Sequence, residues 1–511
     1  MTIIPPSSLA TKLRHVQTLS LDRADDTQLS LLVQGLPYHL GGTVQDPSRA
    51  CTSLKYLYID WLKNPELLSR PLVTLLEYNP HLTRLDVPYD IFEVDGASAA
   101  LSKLWHLQCL SIHGEGTVLR PFLFLQSCLC LPELTELTFH RDMEMYWDHG
   151  DETTVVRKLE AIINDALIAR LSFGPTAKRI KSLQLPVNLT GIKNPLPLLL
   201  LKSKLLDLET CEIPWFREDA AVHEVQQVVR EHCHNLKHLR FPQLYEEEQD
   251  SQAARAFIRG CSGLQSFTST YFMDGLDYAP RHILSELVKY HHTTLEVLEL
   301  TDSYQLFSRD LQEVLSQCKR LKRFWVMDLE QDDSMSGIAF SDITRSDWVC
   351  TELRVFGVAL NRRCYPNELW YEEQGHESNT WPRQRMTRRV YQQIGQLKNL
   401  EVLAIGIDRS SRATGRVQDY MWDLTLRKGW LGEWAGLKNL RSLRLQAGLW
   451  THMNQEDVEF MHEHWPLLDE IIVTRNISDL QTKQHWQWLL EKRPYLRLKE
   501  DGWLDYKSFS S

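Results

Sequence analysis

The feature that most constrains this chain is a short apolar phrase, Leu-x-x-Leu-x-Leu or a close variant, that returns along its length. A phrase repeated every few tens of residues indicates a solenoid of leucine-rich repeats, in which each unit stacks on its neighbours. The fourteen copies begin at Val16, Leu54, Leu82, Leu107, Leu134, Ile180, Leu236, Leu264, Leu295, Leu321, Leu353, Leu400, Leu440 and Leu468.

One repeat shows how the unit is built. Leu311, Val314 and Leu315 lie on one face at helical spacing, and Cys318 ends that stretch. The phrase that follows, Leu321 to Val326, alternates as a strand does. The unit is therefore helix, turn, strand. We predict an α/β fold, a curved leucine-rich-repeat solenoid of about 14 or 15 irregular repeats with a parallel sheet on its concave side and helices on its convex side.

The repeats predict one solenoid over residues 1–511, because stacking along one axis has no single-core size limit. A helix is expected from about Thr154 to Leu171. The regular pattern breaks at 361–388, which we interpret as an inserted loop. Residues 475–511 read as a cap, with a final helix and a strand-like end at Tyr495–Leu498.

Composition limits the classes of partner. Hydrophobic residues make up 43% of the chain and charged residues 24%, which is ordinary for a folded protein. The net charge of −10 disfavours nucleic acid as a partner. No segment reads as a signal peptide, and no apolar run is long enough to cross a bilayer. We therefore expect no membrane partner and a cytoplasmic or nuclear location.

Half of the ten cysteines share one place in the repeat. They stand three residues before the first apolar residue of a phrase, where the helix gives way to the strand. A free cysteine there would act as a small buried hydrophobe, with a redox or metal role as the alternative reading. The five are Cys51, Cys233, Cys261, Cys318 and Cys350.

No catalytic motif is present: the chain has no Gly-x-Ser-x-Gly, no phosphate loop and no dinucleotide fingerprint. His462 and His464 are two residues apart and would not share a helix face, so they do not match a zinc-helix motif. We predict that the protein is not an enzyme, with no catalytic residues, no cofactor and no metal.

Strand alternation predicts which side chains line the concave face. Residues on either side of the second leucine point away from the helices. Aromatic and arginine residues are enriched among interface hot spots. For Trp325, covering apolar neighbours is the competing interpretation. The predicted partner-binding residues of this face are Tyr56, Tyr58, Arg84, Asp86, His238, Arg240, Arg323, Trp325 and Arg444.

The 361–388 insertion supplies a second candidate set, because aromatic and arginine residues mix there. Insertions in repeat proteins often bind partners, although long loops are also often disordered. The candidates are Trp370, Tyr371, Trp381, Arg383 and Arg385.

The helix–Cys-x-x-Leu-x-x-Leu-x-Leu unit resembles the cysteine-containing class of leucine-rich repeat. Together with Trp348–Leu353, Val390–Leu397 and His464–Leu468, it makes the chain similar to the fungal F-box/leucine-rich-repeat-like proteins. The resemblance implies a non-enzymatic protein-interaction scaffold, the substrate-recognition part of an F-box-type ubiquitin ligase, whose partners would include a Skp-type adaptor. The alternative is a regulator or inhibitor of an enzyme, as with ribonuclease-inhibitor-like or GTPase-activating solenoids.

The resemblance has one departure. In that family a helical F-box module precedes the repeats and binds the adaptor. Met1–Leu13, before the first phrase, is too short to hold the module. We expect either a repeat-only relative that never had the module or an incomplete gene model from which the module has been lost.

Overall fold

The computed structural model describes most of the repeats. Its contacts group into two compact units, Met1–Pro242 with Gly260–Ser262, and Gln243–Arg259 with Gly263–Ser511. The described residues are 17–21, 54–59, 73–77, 79–89, 92, 96–113, 121–139, 152–174, 177–185, 196–212, 222–241, 248–269, 280–301, 308–327, 337–361, 380–407, 424–427, 430–445, 453–473 and 483–500.

The first unit contains eight described strands, each paired in parallel with the next along the chain. The register aligns the second leucine of each phrase, so that Leu57 pairs with Leu85 and Leu85 with Leu110. The strands are β1 Thr18–Leu21, β2 Tyr56–Ile59, β3 Arg84–Pro88, β4 Cys109–His113, β5 Glu136–Phe139, β6 Ile180–Gln184, β7 Leu206–Glu212 and β8 His238–Phe241.

Helices alternate with these strands, because each repeat has an apolar helical stripe that must be buried. In the helix Glu152–Ser172, Val155, Leu159, Ile162 and Ala166 are buried on one face. This helix confirms the one predicted from about Thr154 to Leu171. The other described helices of the unit are Ala97–Leu101, Pro121–Leu129, Leu196–Lys202 and Val222–His232.

The second unit contains nine described strands, also parallel. They follow chain order except that β13 pairs with β11 through its first half and with the two-residue β12 at its end. The strands are β9 Ser266–Ser269, β10 Val297–Thr301, β11 Arg323–Met327, β12 Ile338–Ala339, β13 Val355–Asn361, β14 Val402–Ile407, β15 Ser442–Leu445, β16 Glu470–Val473 and β17 Arg497–Glu500.

The helices of this unit again lie between strands. Asn454 begins the helix Gln455–His464 with a capping box, in which its side chain and that of Asp457 satisfy backbone N–H groups. The other described helices are Glu248–Gly260, whose last residue groups with the first unit, Pro280–His291, Ser308–Gln317, Phe340–Ile343, Thr380–Gly395 and Gln484–Lys492, with a 3₁₀-helix at Leu431–Trp434.

Parallel strands joined by helices, with the phrase leucines as the core, confirm the predicted α/β leucine-rich-repeat solenoid. Every described first and second anchor from Leu54 to Leu468 is buried, whereas Leu19 in β1 is half-buried. At about 1.5 to 3 kcal/mol for each fully buried side chain, these anchors dominate the stability of a repeat.

The predicted insertion is partly regular structure. Asn361 is the last residue of β13, and residues 380–388 form the first half of the helix Thr380–Gly395. Residues 362–379 lie outside the described part of the chain. In the segment predicted as a cap, the helix Gln484–Lys492 precedes β17, which pairs in parallel with β16.

Three strands lie where no phrase was identified, and two of them, β7 and β12, were not predicted. In β7 a cysteine, Cys211, occupies the place of the second leucine, and the register with β6 shifts between Ile180 and Ser182. β12 is too short to display any alternation. β17 was anticipated as part of the strand-like end.

Each described repeat cysteine occupies the equivalent turn of its own repeat. Leu236, Leu321 and Leu353 each donate their backbone N–H to the carbonyl of the cysteine three residues before. Cys233, Cys261, Cys318 and Cys350 are buried and free, which confirms the reading as small core residues, while Cys51 lies outside the described residues. Burial raises the pKa of Cys233, Cys318 and Cys350 to about 12.

This burial predicts slow alkylation. The thiolate is the reactive form, and a pKa of about 12 leaves about one thiol in ten thousand ionised at about pH 8. Iodoacetamide should leave Cys318 and Cys350 unmodified in the native protein and modify both in denaturant, as read by peptide mass spectrometry. Native labelling of either cysteine as fast as in denaturant would show that the turn is open.

Candidate protein-binding face of the strands

Strand pairing fixes two rows of side chains on the first unit, on the face opposite the buried leucines; we call them the first-unit face. Each residue stands beside its register partner on the next strand, about 4.8 Å away. One row is Thr18, Tyr56, Arg84, Cys109, Glu136, Ser182, Thr210 and His238; the other is Ser20, Tyr58, Asp86, Ser111, Thr138, Gln184, Glu212 and Arg240.

Aromatic and charged side chains interact along this face. The guanidinium of Arg84 lies over the ring of Tyr56, with Cζ 5.2 Å from the ring centroid. At the other end, Arg240 Nε lies 3.5 Å from Glu212 Oε2, and His238 is exposed. Tyr56 and Arg240 are half-buried, while Arg84 and His238 are exposed, so this face combines fixed geometry with accessible surface.

Asp86 differs from its neighbours because it is only 8% exposed. Its Oδ1 lies 3.6 Å from His113 Nε2, and the same nitrogen lies 2.8 Å from the carbonyl oxygen of Ile59. The ring of Tyr58, beside Asp86 in the register, is 6.4 Å from the ring of His113. The structure therefore brings Tyr58, Asp86 and His113 into one group.

The second unit has an equivalent pair of rows, which we call the second-unit face. One row is Ser266, Val297, Arg323, Val355, Val402, Ser442, Glu470 and Arg497; the other is Thr268, Glu299, Trp325, Gly357, Ala404, Arg444, Ile472 and Lys499.

Trp325 lies on this face and is only 3% exposed. It packs with Val402, Ala404 and Val355. Gly357 leaves room for the ring, because a Cβ there would stand 2.7 Å from Trp325 Cδ2. The indole thus covers apolar neighbours, the competing interpretation offered by the sequence, and its contact with a partner stays a prediction.

Charged residues surround the tryptophan. Arg323 pairs with Glu299, and the guanidinium of Arg444, itself buried, lies 5.8 Å from the Trp325 ring centroid. The burial of Trp325 and Arg444 shows that two of the predicted contact residues are largely inside the face rather than on it. Only the tertiary packing decides this, since strand alternation gives the side of the sheet and not the depth.

Glu470 forms a polar centre that the sequence reading missed. Its carboxylate accepts hydrogen bonds from Lys499 Nζ at 2.8 Å and Ser442 Oγ at 3.1 Å, with Arg497 at 3.6 Å. Burial alone would raise the pKa of Glu470, but these three partners outweigh burial and lower it. Its place before the second anchor, Ile471, was the signal that could have identified it.

The insertion candidates do not form a described site. Trp370 and Tyr371 lie outside the described residues, as do the side chains of Trp381 and Arg383, while Arg385 is exposed on the helix Thr380–Gly395. The arginines that follow have structural contacts: Arg388 Nε lies 2.8 Å from Glu433 Oε1, and Arg389 pairs with Asp347.

An exposed apolar patch on the first unit is separate from the strand face. It contains Trp105, Ile168, Leu171 and Phe173. Ile168 and Leu171 lie in the last turns of the helix Glu152–Ser172, and Phe173 is the residue after its end. The rings of Trp105 and Phe173 are 6.4 Å apart. Sequence periodicity did not indicate this patch.

Neither a group of metal ligands nor a membrane-spanning helix occurs among the described residues. Among them, no three histidine, cysteine, aspartate or glutamate side chains are grouped so that they could hold a metal ion. No described helix is both long enough and apolar enough to cross a membrane.

The fold and the strand faces define a leucine-rich-repeat protein. The chain is similar in structure to two solved proteins, at 14% sequence identity in each case. One is the complex of Rad7 and Elc1 in yeast, with 97% of this chain and 91% of that chain covered and a TM-score of 0.34. The other is a leucine-rich-repeat protein of Leptospira interrogans, with 90% of each chain covered and a TM-score of 0.36.

No protein-family model matches the chain, and no curated protein matches it. Because both TM-scores are below 0.5, the repeat class rests on the strand pairing and the buried leucines of this chain.

Proposed function

We propose that the protein is a non-enzymatic protein-interaction scaffold that binds its partner through the strand faces. The observation that supports this most directly is the first-unit face, where parallel pairing holds tyrosine, arginine and histidine side chains in two accessible rows. Such residues form interface hot spots, and a rigid backbone reduces the entropy that binding costs. The proposed contacts are Tyr56, Tyr58, Arg84, His238, Arg240 and Arg323.

The finer form of the proposal is substrate recognition in an F-box-type ubiquitin ligase, with a Skp-type adaptor as a further partner. It is supported by the resemblance of the repeat unit to the cysteine-containing class, whose cysteine here lies in a recurring turn. Regulation or inhibition of an enzyme is the alternative. The insertion residues Trp370, Tyr371, Trp381, Arg383 and Arg385 remain proposed contacts.

A charge reversal tests the proposed face. Full-length tagged protein is purified under native conditions, and bound proteins are quantified by mass spectrometry. Arg84→Glu should reduce recovery of the partner by about tenfold or more, since losing a buried interface charge pair costs several kcal/mol. The matched control is Arg157→Glu, an exposed arginine on the helix Glu152–Ser172 of the same unit, which should change recovery little.

The identity of the bound proteins separates the finer roles. A Skp-type adaptor and cullin in stoichiometric amounts would support the ligase role. An enzyme whose turnover changes on binding would support the regulatory role. Equal recovery of every protein by wild type, Arg84→Glu and Arg157→Glu would contradict binding through the first-unit face.

A further inference from the structure

We infer that the first-unit face contains a recognition site for a basic side chain of a partner protein, centred on Asp86 and bordered by Tyr58 and His113. The inference rests on the proposed function and names the chemistry of the partner at one place on the face. It depends on three features: the unsatisfied Oδ1 of Asp86, the direction of the nearby donors, and the aromatic ring beside it.

One oxygen of the Asp86 carboxylate lacks a hydrogen-bond donor among the described residues. The residue is 8% exposed, and its Oδ1 is buried and accepts no hydrogen bond from any described residue. A charged oxygen removed from water without a hydrogen-bond partner is strongly unfavourable. A cationic donor supplied by a partner would remove that cost, so Asp86 favours binding of a cation.

The two neighbouring side chains with nitrogen donors, His113 and Arg84, are directed elsewhere. His113 Nε2 is 2.8 Å from the Ile59 carbonyl but 3.6 Å from Asp86 Oδ1, which is beyond hydrogen-bonding distance. Arg84 stands two residues before Asp86 on the same strand, yet its guanidinium lies over Tyr56. Both residues therefore frame Asp86 without satisfying it.

Tyr58 supplies the second element of cation recognition. It is the register partner of Asp86 and is half-buried, and its ring is 6.4 Å from that of His113. An aromatic ring attracts an ammonium or guanidinium group, and a carboxylate pairs with either, a guanidinium most strongly because it can form two parallel hydrogen bonds. A carboxylate beside an aromatic ring thus favours arginine, with lysine as a weaker occupant.

The surroundings disfavour an anionic occupant. Glu136, two strands along in the neighbouring row, is exposed and adds a second carboxylate to this part of the face. A phosphate or an acidic peptide would meet both carboxylates. A segment carrying two basic residues could approach both.

The experiment measures binding of a fluorescein-labelled, acetylated tri-arginine amide to the full chain by fluorescence anisotropy, with tri-lysine and tri-glutamate as parallel probes. Asp86→Asn keeps the shape of the side chain and removes its charge. We expect it to weaken tri-arginine binding by more than about tenfold, because the charge-assisted pair is lost. Tri-lysine should bind more weakly than tri-arginine, and tri-glutamate should not bind.

The matched control is Glu160→Gln, which makes the same change of charge at an exposed position on the helix Glu152–Ser172. It should change binding by less than about twofold, as expected for a screened surface charge. An equal loss in both variants would mean attraction to the net negative charge alone and would overturn the inference.

Two further measurements separate recognition from a structural role. Asp86→Asn should keep or raise the melting temperature, because the buried Oδ1 accepts no hydrogen bond from the described residues. A clear fall would identify Asp86 as a structural partner of His113 and overturn the inference. Tyr58→Leu leaves the carboxylate in place and should weaken tri-arginine binding by about threefold, the loss of one cation–π contact.

Failure of this inference is distinguishable from failure of the proposed function. If a captured partner depends on Arg84 while peptide binding does not depend on Asp86, the scaffold stands and the basic-site inference fails. If peptide binding depends on Asp86 but no protein is captured, the site stands and the scaffold role fails.

Discussion

Replacing Trp434 with alanine is expected to lower the free energy of unfolding of the second unit by about 3 to 5 kcal/mol. The side chain is fully buried and stacks on Tyr391, with 4.9 Å between ring centroids. Its Nε1–H donates to the Tyr391 carbonyl, and its own carbonyl accepts from Trp465 Nε1, each at 3.1 Å. The substitution therefore removes packing and a hydrogen bond that link successive repeats.

Urea unfolding followed by far-ultraviolet circular dichroism measures the loss, and hydrogen exchange with mass spectrometry locates it. Repeats depend on their neighbours, so exchange should first increase in Thr380–Gly395 and Gln455–His464. The control is Trp105→Ala, since Trp105 is 58% exposed and its removal should change stability by less than about 0.5 kcal/mol. Equal effects of the two substitutions would contradict the packing assigned to Trp434.

The second large effect is expected at Gly357. Adding a methyl group there should cost about 1 to 3 kcal/mol, because the indole of Trp325 occupies the space above the strand. In a Trp325→Ala background the same substitution should become neutral, since the obstructing ring is gone. Urea unfolding of the four proteins in this double-mutant cycle gives the coupling energy directly.

Gly263 is the control position for this cycle. Among the described residues, a Cβ at that position would meet only Thr294 Cγ2, at the ordinary contact distance of 3.8 Å. Gly263→Ala should therefore cost little in either background. A cost for Gly357→Ala that persists without the tryptophan would show that the backbone, and not the ring, requires glycine there.

Trp434 and Trp325 lie in different layers of the same unit. Trp434 belongs to the core on the helix side of the strands, and Trp325 belongs to the strand face.

Much of the fold could be predicted because the repeat imposes a strong and local pattern. The phrase from Leu321 to Val326 became β11, and the apolar stripe before it became the helix Ser308–Gln317. The helix predicted from about Thr154 to Leu171 was observed as Glu152–Ser172. Each of these elements is specified by apolar spacing over a few turns or one strand.

Elements without that spacing escaped prediction. β7 was not predicted because Cys211 stands where the repeat phrase has its second leucine. β12 was not predicted because its two residues form a strand only by pairing with the end of β13. The helix Thr380–Gly395 lies partly inside the segment predicted as a loop, because its basic first half carries little apolar pattern.

The features of the candidate site also divide into those that the sequence determined and those that depended on the tertiary structure. By itself, the sequence determined the repeat class, the side of the strands on which Tyr58, Asp86 and Trp325 stand, and the burial of the repeat cysteines. The period-two alternation of a strand is local, and it fixes the side to which each residue points. Only the tertiary structure decided how deeply each side chain is buried and which side chains it contacts. Trp325 lies over Gly357, and Asp86 is buried beside Tyr58 and His113. These relations join strands far apart in the chain, and the packing between strands, which no local pattern contains, sets the burial and the partners of each side chain.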